Sequence, residues 1–225
     1  MCKIKIATDS TADIPNSFCE ELDISVLPLT ILAGDNEYRD GVDITPAEFY
    51  KIIDASKQLP VSSQVASVLY SELFEETWKA GYTDLIQVTL NSKGSGTYQA
   101  AVLSKDLFYE EHPEAKEQLN IHIIDSKTYS MAYGIGVIEG AQMVQTGASV
   151  EEVIAHIEEL LVHTTSPLKR FFALFVPLRN TVCTLSLKLK YASNLLFSAS
   201  LQIPRMLSEP VLTAHFAAEY LSLFN

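Results

Sequence analysis

Apolar and polar positions over the first 163 residues follow two periods in turn. Lys3 to Thr8 alternates lysine with isoleucine, which predicts a strand. A polar stretch, Asp9 to Pro15, predicts a loop, and Asn16 to Leu22 a short helix. Ile24 to Leu32 is apolar and predicts a second strand, with Pro28 arguing for an edge position or a bend. Ala33 to Asp43 is turn-rich and polar, a hairpin-like excursion. A helix then opens at Thr45, a good N-cap, with Pro46 at the first helical position and Glu48 completing a capping box.

Leu59 to Gln64 predicts a loop, and Val68, Leu69, Leu73 and Trp78 recur at near-helical spacing before Gly81 ends the segment. Thr83 to Leu90 predicts a strand, and a helix follows with Ala100, Leu103 and Leu107 on one face. Asn120 to Asp125 predicts a further strand, and Met131 to Thr146 a helix that stops at Gly147. Ser149 to His163 predicts a last helix, with Ser149 and Glu152 as its capping box. Strands alternating with helices of this length imply βαβ units, an α/β fold with a parallel sheet flanked by helices.

Beyond Thr164 the pattern breaks down. Pro167, Pro177, Pro204 and Pro210 interrupt an apolar stretch rich in Ser and Leu. Phe171 to Val176 and Thr181 to Leu189 fit strands, and residues 211–224 fit a helix, but no caps or turn signals join them.

Charge and composition change at the same point. Residues 1–163 carry a balance of −16 and residues 164–225 a balance of +4, which together give the net −12 of the 225-residue chain. All nine glycines precede residue 148, and the last 62 residues contain neither Gly nor Asp. Average usage would place roughly four glycines in such a length. The division expected is therefore 3–163 as one domain and 164–225 as an atypical tail.

The acidic balance excludes nucleic acid as an expected partner, since phosphate binding needs a basic patch. No apolar run reaches about 18 residues, so no integral membrane segment is expected. The opening residues carry no signal-peptide pattern. Three widely spaced cysteines, Cys2, Cys19 and Cys183, fit a reducing cytoplasm rather than a disulfide frame. No metal-ligand spacing is present, and no metal or cofactor is expected.

The chemistry-bearing residues sit in loops after strands. These are Asp9–Ser10–Thr11, Ser62–Ser63–Gln64, Ser92 to Thr97, and Asp125–Ser126. At the carboxyl edge of a parallel sheet such loops gather where ligands bind, and helix N-termini there favour anions. Gly94-Ser95-Gly96-Thr97-Tyr98-Gln99 is not a P-loop, lacks the third glycine of a dinucleotide fingerprint, and is not a nucleophile elbow. His112, His122, His156, His163 and His215 all fall outside these loops. Asp13 suits capping of the helix after Pro15 better than Mg²⁺ binding. Hydroxyls without a base point to binding rather than catalysis.

Four stretches in order, "KIKIATDSTADIP", "LPVSSQVAS", "LNSKGSGTYQAA" and "IIDSKTYSMAYGIG", resemble the DegV family of bacterial fatty-acid-binding proteins. The resemblance covers residues 3 to about 163. It implies two α/β domains with a long-chain fatty acid such as palmitate between them, its carboxylate held by loop hydroxyls. It further implies a cytoplasmic, non-enzymatic carrier in fatty acid transport or metabolism, some members presenting the acid to a fatty-acid kinase. Carried over by motif, Ser62 and Ser95 are the ligand-binding residues, with Ser63 and Gly96 adding N–H groups. Val65-Ala66 departs from the Pro-Ser that often follows this loop in the family. The family's second domain, with its "YLKKGGRI"-like stretch, has no counterpart in residues 164–225. That mismatch fits an out-of-frame tail, so that the second α/β domain is incomplete or aberrant. The alternatives are a disrupted, non-functional family member and a phosphoryl- or acyl-transfer enzyme using the same loops.

Overall fold

A computed structural model describes residues 3–56 and 58–175. The compact unit that ends at Leu168 is an α/β unit built on a four-stranded sheet of order β2-β1-β6-β7. Its strands are β1 (Ile4–Asp9), β2 (Ile24–Leu27), β6 (Asp84–Thr89) and β7 (Asn120–Asp125). Every pairing is parallel: Ile6 faces Ile24, Ile4 faces Asp84, and Thr89 faces Asp125.

Parallel strands covered on both faces need apolar residues on both. Strand β6 meets that demand, with all six residues buried. On one face Ala7, Leu85 and Ile121 join a core with Tyr70, Leu73 and Phe74 of α3 (Ser67–Lys79) and Ala100, Ala101 and Phe108 of α4 (Thr97–Glu111). The other face carries α5 (Met131–Gln145), whose Tyr133, Val137, Ile138 and Ala141 are buried. In α6 (Val150–Phe175) the spacing of Val153, Ile157 and Leu161 makes a buried stripe. Helix α1 (Asn16–Glu21) links β1 to β2.

The predicted single strand over Ile24–Leu32 is two strands in two sheets. Pro28 supplies no N–H, and the Leu29 N–H goes to Ser10 Oγ at 3.1 Å instead of a ladder. The chain then enters a three-stranded antiparallel sheet of order β4-β3-β5. Its members are β3 (Thr30–Ala33), β4 (Asn36–Arg39) and β5 (Val61–Ser63). The β3–β4 hairpin is the predicted excursion, turning through Gly34 and Asp35. Helix α2 (Pro46–Ala55) has the predicted capping box, with Thr45 and Glu48 bonded in both directions.

The sequence pattern misplaced the buried face of α4. Ala100 is buried, but Leu103 is 62% and Leu107 54% exposed. The buried stripe is Thr97, Ala100, Ala101, Ser104 and Phe108. Small residues let α4 approach its neighbours closely, so size rather than hydrophobicity selects the inner face. Val68 of α3 is likewise exposed, while Thr77 is buried and donates its hydroxyl to the Leu73 carbonyl at 2.6 Å. The expected strand over 171–176 is helical through Phe175, as the last turns of α6; short apolar runs do not distinguish the two states. The expected elements at 181–189 and 211–224 lie outside the described residues.

Candidate functional site

The carboxyl ends of β1, β6 and β7 are tied together by buried polar side chains. Asp9, the last residue of β1, is fully buried and accepts four hydrogen bonds. They come from the Leu90 N–H at 2.8 Å, the Thr11 N–H at 3.1 Å, the Thr11 hydroxyl at 2.5 Å and the Tyr133 hydroxyl at 2.7 Å. Burial pushes the Asp9 carboxyl above its ordinary range, against the downward pull of these donors. Burial also raises the Tyr133 phenol, and the nearby Asp9 adds to the effect. The Asp9–Ser10–Thr11 loop is thus a structural knot joining β1, β6 and α5.

A second knot joins the next two loops. Asp125, at the end of β7, accepts the Ser92 hydroxyl at 2.6 Å and the N–H groups of Ser92 and Lys127, each at 3.0 Å. The Asn91 N–H donates to the Thr128 carbonyl at 3.0 Å. Ser126 is buried and bonds within its own loop. Thr128 is buried too, and its hydroxyl oxygen has no partner among the described residues.

Ser95 stands on this frame, half-buried, just before α4. The Val65 N–H donates to Thr97 Oγ1 at 3.4 Å, and Thr97 Oγ1 lies 2.9 Å from Ser95 Oγ. Ser95 Oγ also accepts the Thr97 N–H at 3.2 Å. Either hydroxyl can be the donor in this contact, and where Thr97 donates, the Ser95 proton is free for a ligand. Gly96 is the N-cap of α4 and offers no side-chain cap. The N–H groups of Gly96, Tyr98 and Gln99 form no hydrogen bond among the described residues. The Ser95 hydroxyl and several unpaired N–H groups at a helix start make a seat for an anion.

Ser62 and Ser63 stand elsewhere than the sequence implied. They are not a loop at the end of a main-sheet strand but two of the three residues of β5, paired with Ile31 and Thr30. Both are exposed. The residues of this segment that meet the Ser95 loop are the next two, Val65 through the bond to Thr97 and Gln64 through its side chain against Gly96. Asp13 does not cap α1 either. It takes a left-handed conformation, and its carboxylate accepts the Ser130 hydroxyl. The sequence places Thr97 at the end of the Ser92–Thr97 loop but assigns no role to it or to Tyr133, because nothing in their sequence neighbourhood shows that their hydroxyls are buried.

Four histidines lie among the described residues, and each has an acidic neighbour. His122 is 3.1 Å from Asp84, His156 2.7 Å from Glu139, His112 3.9 Å from Glu114 and His163 4.0 Å from Glu159. His215 lies outside the described residues. None of the four is hydrogen-bonded to Ser95. Among the described residues no cluster of His, Cys, Asp and Glu has metal-site geometry, and no helix is long and apolar enough to cross a membrane. A cleft of about 300 Å³ involving Lys3, Ile4, Tyr82 and Ala141 lies toward the amino edge of the sheet and includes none of the hydroxyl loops.

Residues 3–169 match the model of the DegV family, described as uncharacterised proteins. A DegV domain-containing protein of Caldanaerobacter subterraneus is 37% identical over 161 residues, covering 72% of this chain and 54% of that protein. One from Clostridium acetobutylicum is 35% identical over 168 residues, covering 75% and 57%. The chain thus spans about half the length of the curated relatives it matches. Among solved structures, DegV of Bacillus subtilis, a fatty-acid-binding protein, matches with TM-score 0.64 and 26% identity over 72% of this chain and 54% of that one. A stearic-acid-binding protein of Eubacterium ventriosum matches with TM-score 0.62 and 29% identity over 69% and 52%. A Thermotoga maritima protein whose structure reveals fatty acid binding matches with TM-score 0.60 and 30% identity over 71% and 55%.

Proposed function

This chain belongs to the DegV family, and we propose that it binds a long-chain fatty acid such as palmitate and acts as a carrier rather than an enzyme. The observation that carries this reading is the start of α4, where the half-buried Ser95 hydroxyl and the unpaired N–H groups suit a carboxylate. Similar structures at 26–30% identity that bind fatty acids support it. Ser95 is the main holder of the carboxylate, Ser62 adds a second hydroxyl from β5, and Ser63 and Gly96 contribute N–H groups. About 14 methylenes at roughly 0.8 kcal/mol each give a gross driving force near 11 kcal/mol, much reduced by the cost of ordering. The tail supplies affinity, and the donors supply orientation. The setting is the cytoplasm, and the receiving partner is a fatty-acid kinase.

Native mass spectrometry of the full chain tests the reading: a retained mass equal to a C16–C18 acid is expected. Ser95→Ala and Ser62→Ala are each expected to weaken retention, and unchanged retention in both would remove the site assignment. The lipid-binding domain of this reading is 3–163. On the compositional break at residue 164, the tail 164–225 is translated out of frame in place of a second domain. The genomic sequence decides this: no alternative frame beyond codon 163 encoding a Gly-Gly-Arg segment would end it.

A further inference from the structure

The two glycines beside Ser95 are each covered by a polar side-chain tip from another loop. A β-carbon on Gly94 would lie 2.1 Å from the Tyr129 hydroxyl oxygen, and one on Gly96 would lie 1.9 Å from Gln64 Oε1. Neither glycine is needed for its backbone conformation. Gly96 has a φ of −76°, and Gly94 is not among the glycines of positive φ. The space that a β-carbon would take at each glycine is occupied by one of these two side-chain tips, which a substitution there would displace. Gln64 comes from the β5–α3 connection and Tyr129 from the β7–α5 connection, and they reach the two glycines that flank Ser95 in the chain. Both residues are exposed, and neither the amide nor the phenol forms a hydrogen bond among the described residues.

An amide and a phenol both carry donors, and a half-turn of the amide exchanges its oxygen and nitrogen without changing its shape. We propose that Gln64 and Tyr129 are head-group contacts, donating to the bound carboxylate from either side of Ser95. The inference rests on the fatty-acid reading and deepens it by assigning what selects an acid over a neutral lipid. Donors aimed at a charged oxygen are worth more than donors to a neutral one. The pair therefore favours a carboxylate over an alcohol with the same tail.

The test compares hexadecanoate and hexadecanol on the full-length parent, Gln64→Ala and Tyr129→Phe. Each variant is expected to bind hexadecanoate about tenfold more weakly, the size of one hydrogen bond to a charged group. Hexadecanol affinity is expected to change by less than about twofold, since its neutral head gains little from either donor. Tyr129→Phe keeps the ring, and Gln64 is exposed, so neither change removes a core side chain. Gly96→Ala and Gly94→Ala should reproduce the two losses by displacing the tips. Parental hexadecanoate affinity in both Gln64→Ala and Tyr129→Phe overturns the inference and leaves the fatty-acid reading standing. Equal losses for acid and alcohol also overturn it, since they would reflect packing. A parent that binds neither probe removes the fatty-acid reading, and this inference with it.

Discussion

In the parallel sheet, Asp9 is fully buried and accepts four hydrogen bonds. In the antiparallel sheet, Ser62 and Ser63 are exposed, and their hydroxyls form no hydrogen bond among the described residues. The two proposed holders of the carboxylate thus stand on unlike supports. Ser95 is fixed by Thr97 and the loops tied to Asp125, so its donor is positioned before any ligand arrives. Ser62 sits on a three-residue strand whose own residues are all exposed, so it must be ordered when it is used. A fixed donor keeps more of its hydrogen-bond energy than one that loses rotamer freedom on binding. Ser95 should therefore contribute more to affinity than Ser62.

The contrast can be broken at its strongest point first. Asp9→Ala leaves the Leu90 and Thr11 N–H groups without their acceptor in a buried place, and leaves the Tyr133 hydroxyl only the Thr11 hydroxyl at 2.8 Å. That change is expected to cost about 3 kcal/mol or more, read as a lowered denaturation midpoint in urea. Val61→Ala in β5, an exposed position, should shift the same midpoint by no more than about 0.5 kcal/mol. Equal effects would mean that the two sheets are not unlike in the way described. A smaller effect is expected at the junction. Thr97→Val keeps the shape but removes the acceptor of the Val65 N–H, at about 1–2 kcal/mol. It should also weaken fatty-acid retention, because Ser95 loses the hydroxyl that holds it. Loss of stability with unchanged retention would confine Thr97 to a structural role.

The alternation of strand and helix was legible because burial on both faces of a parallel sheet leaves an apolar signature, as at Leu85, Ile86 and Val88 of β6. The capping boxes at Thr45 and Ser149 were legible because they are local, and both are formed. What escaped depends on contacts distant in sequence. The inner face of α4 is set by close packing against α3, where Ala and Ser outrank Leu. The strand character of Ser62 and Ser63 arises from pairing with β3, about thirty residues earlier. Ser95 could be chosen by motif, but the Thr97 hydroxyl that holds it is itself bonded by the Val65 N–H, a pairing across 32 positions. Likewise, the space beside Gly94 and Gly96 is taken by the tips of Tyr129 and Gln64, which no local pattern reveals.

The pairing of β1 with β6 also has a consequence for how the molecule comes into being. Ile4 lies beside Asp84, so β1, a central strand, waits for a neighbour eighty positions later. At ribosomal rates of about 5–20 residues per second, that interval lasts roughly 4–16 seconds. During it, β1 has β2 to pair with on one edge, and its other edge lies open. Contacts so far apart along the chain also slow folding once synthesis is over. The hairpin of β3 and β4 closes locally and has no such delay. In the newborn chain, the exposed sheet is therefore the early one, and the buried frame that supports Ser95 is the last to close.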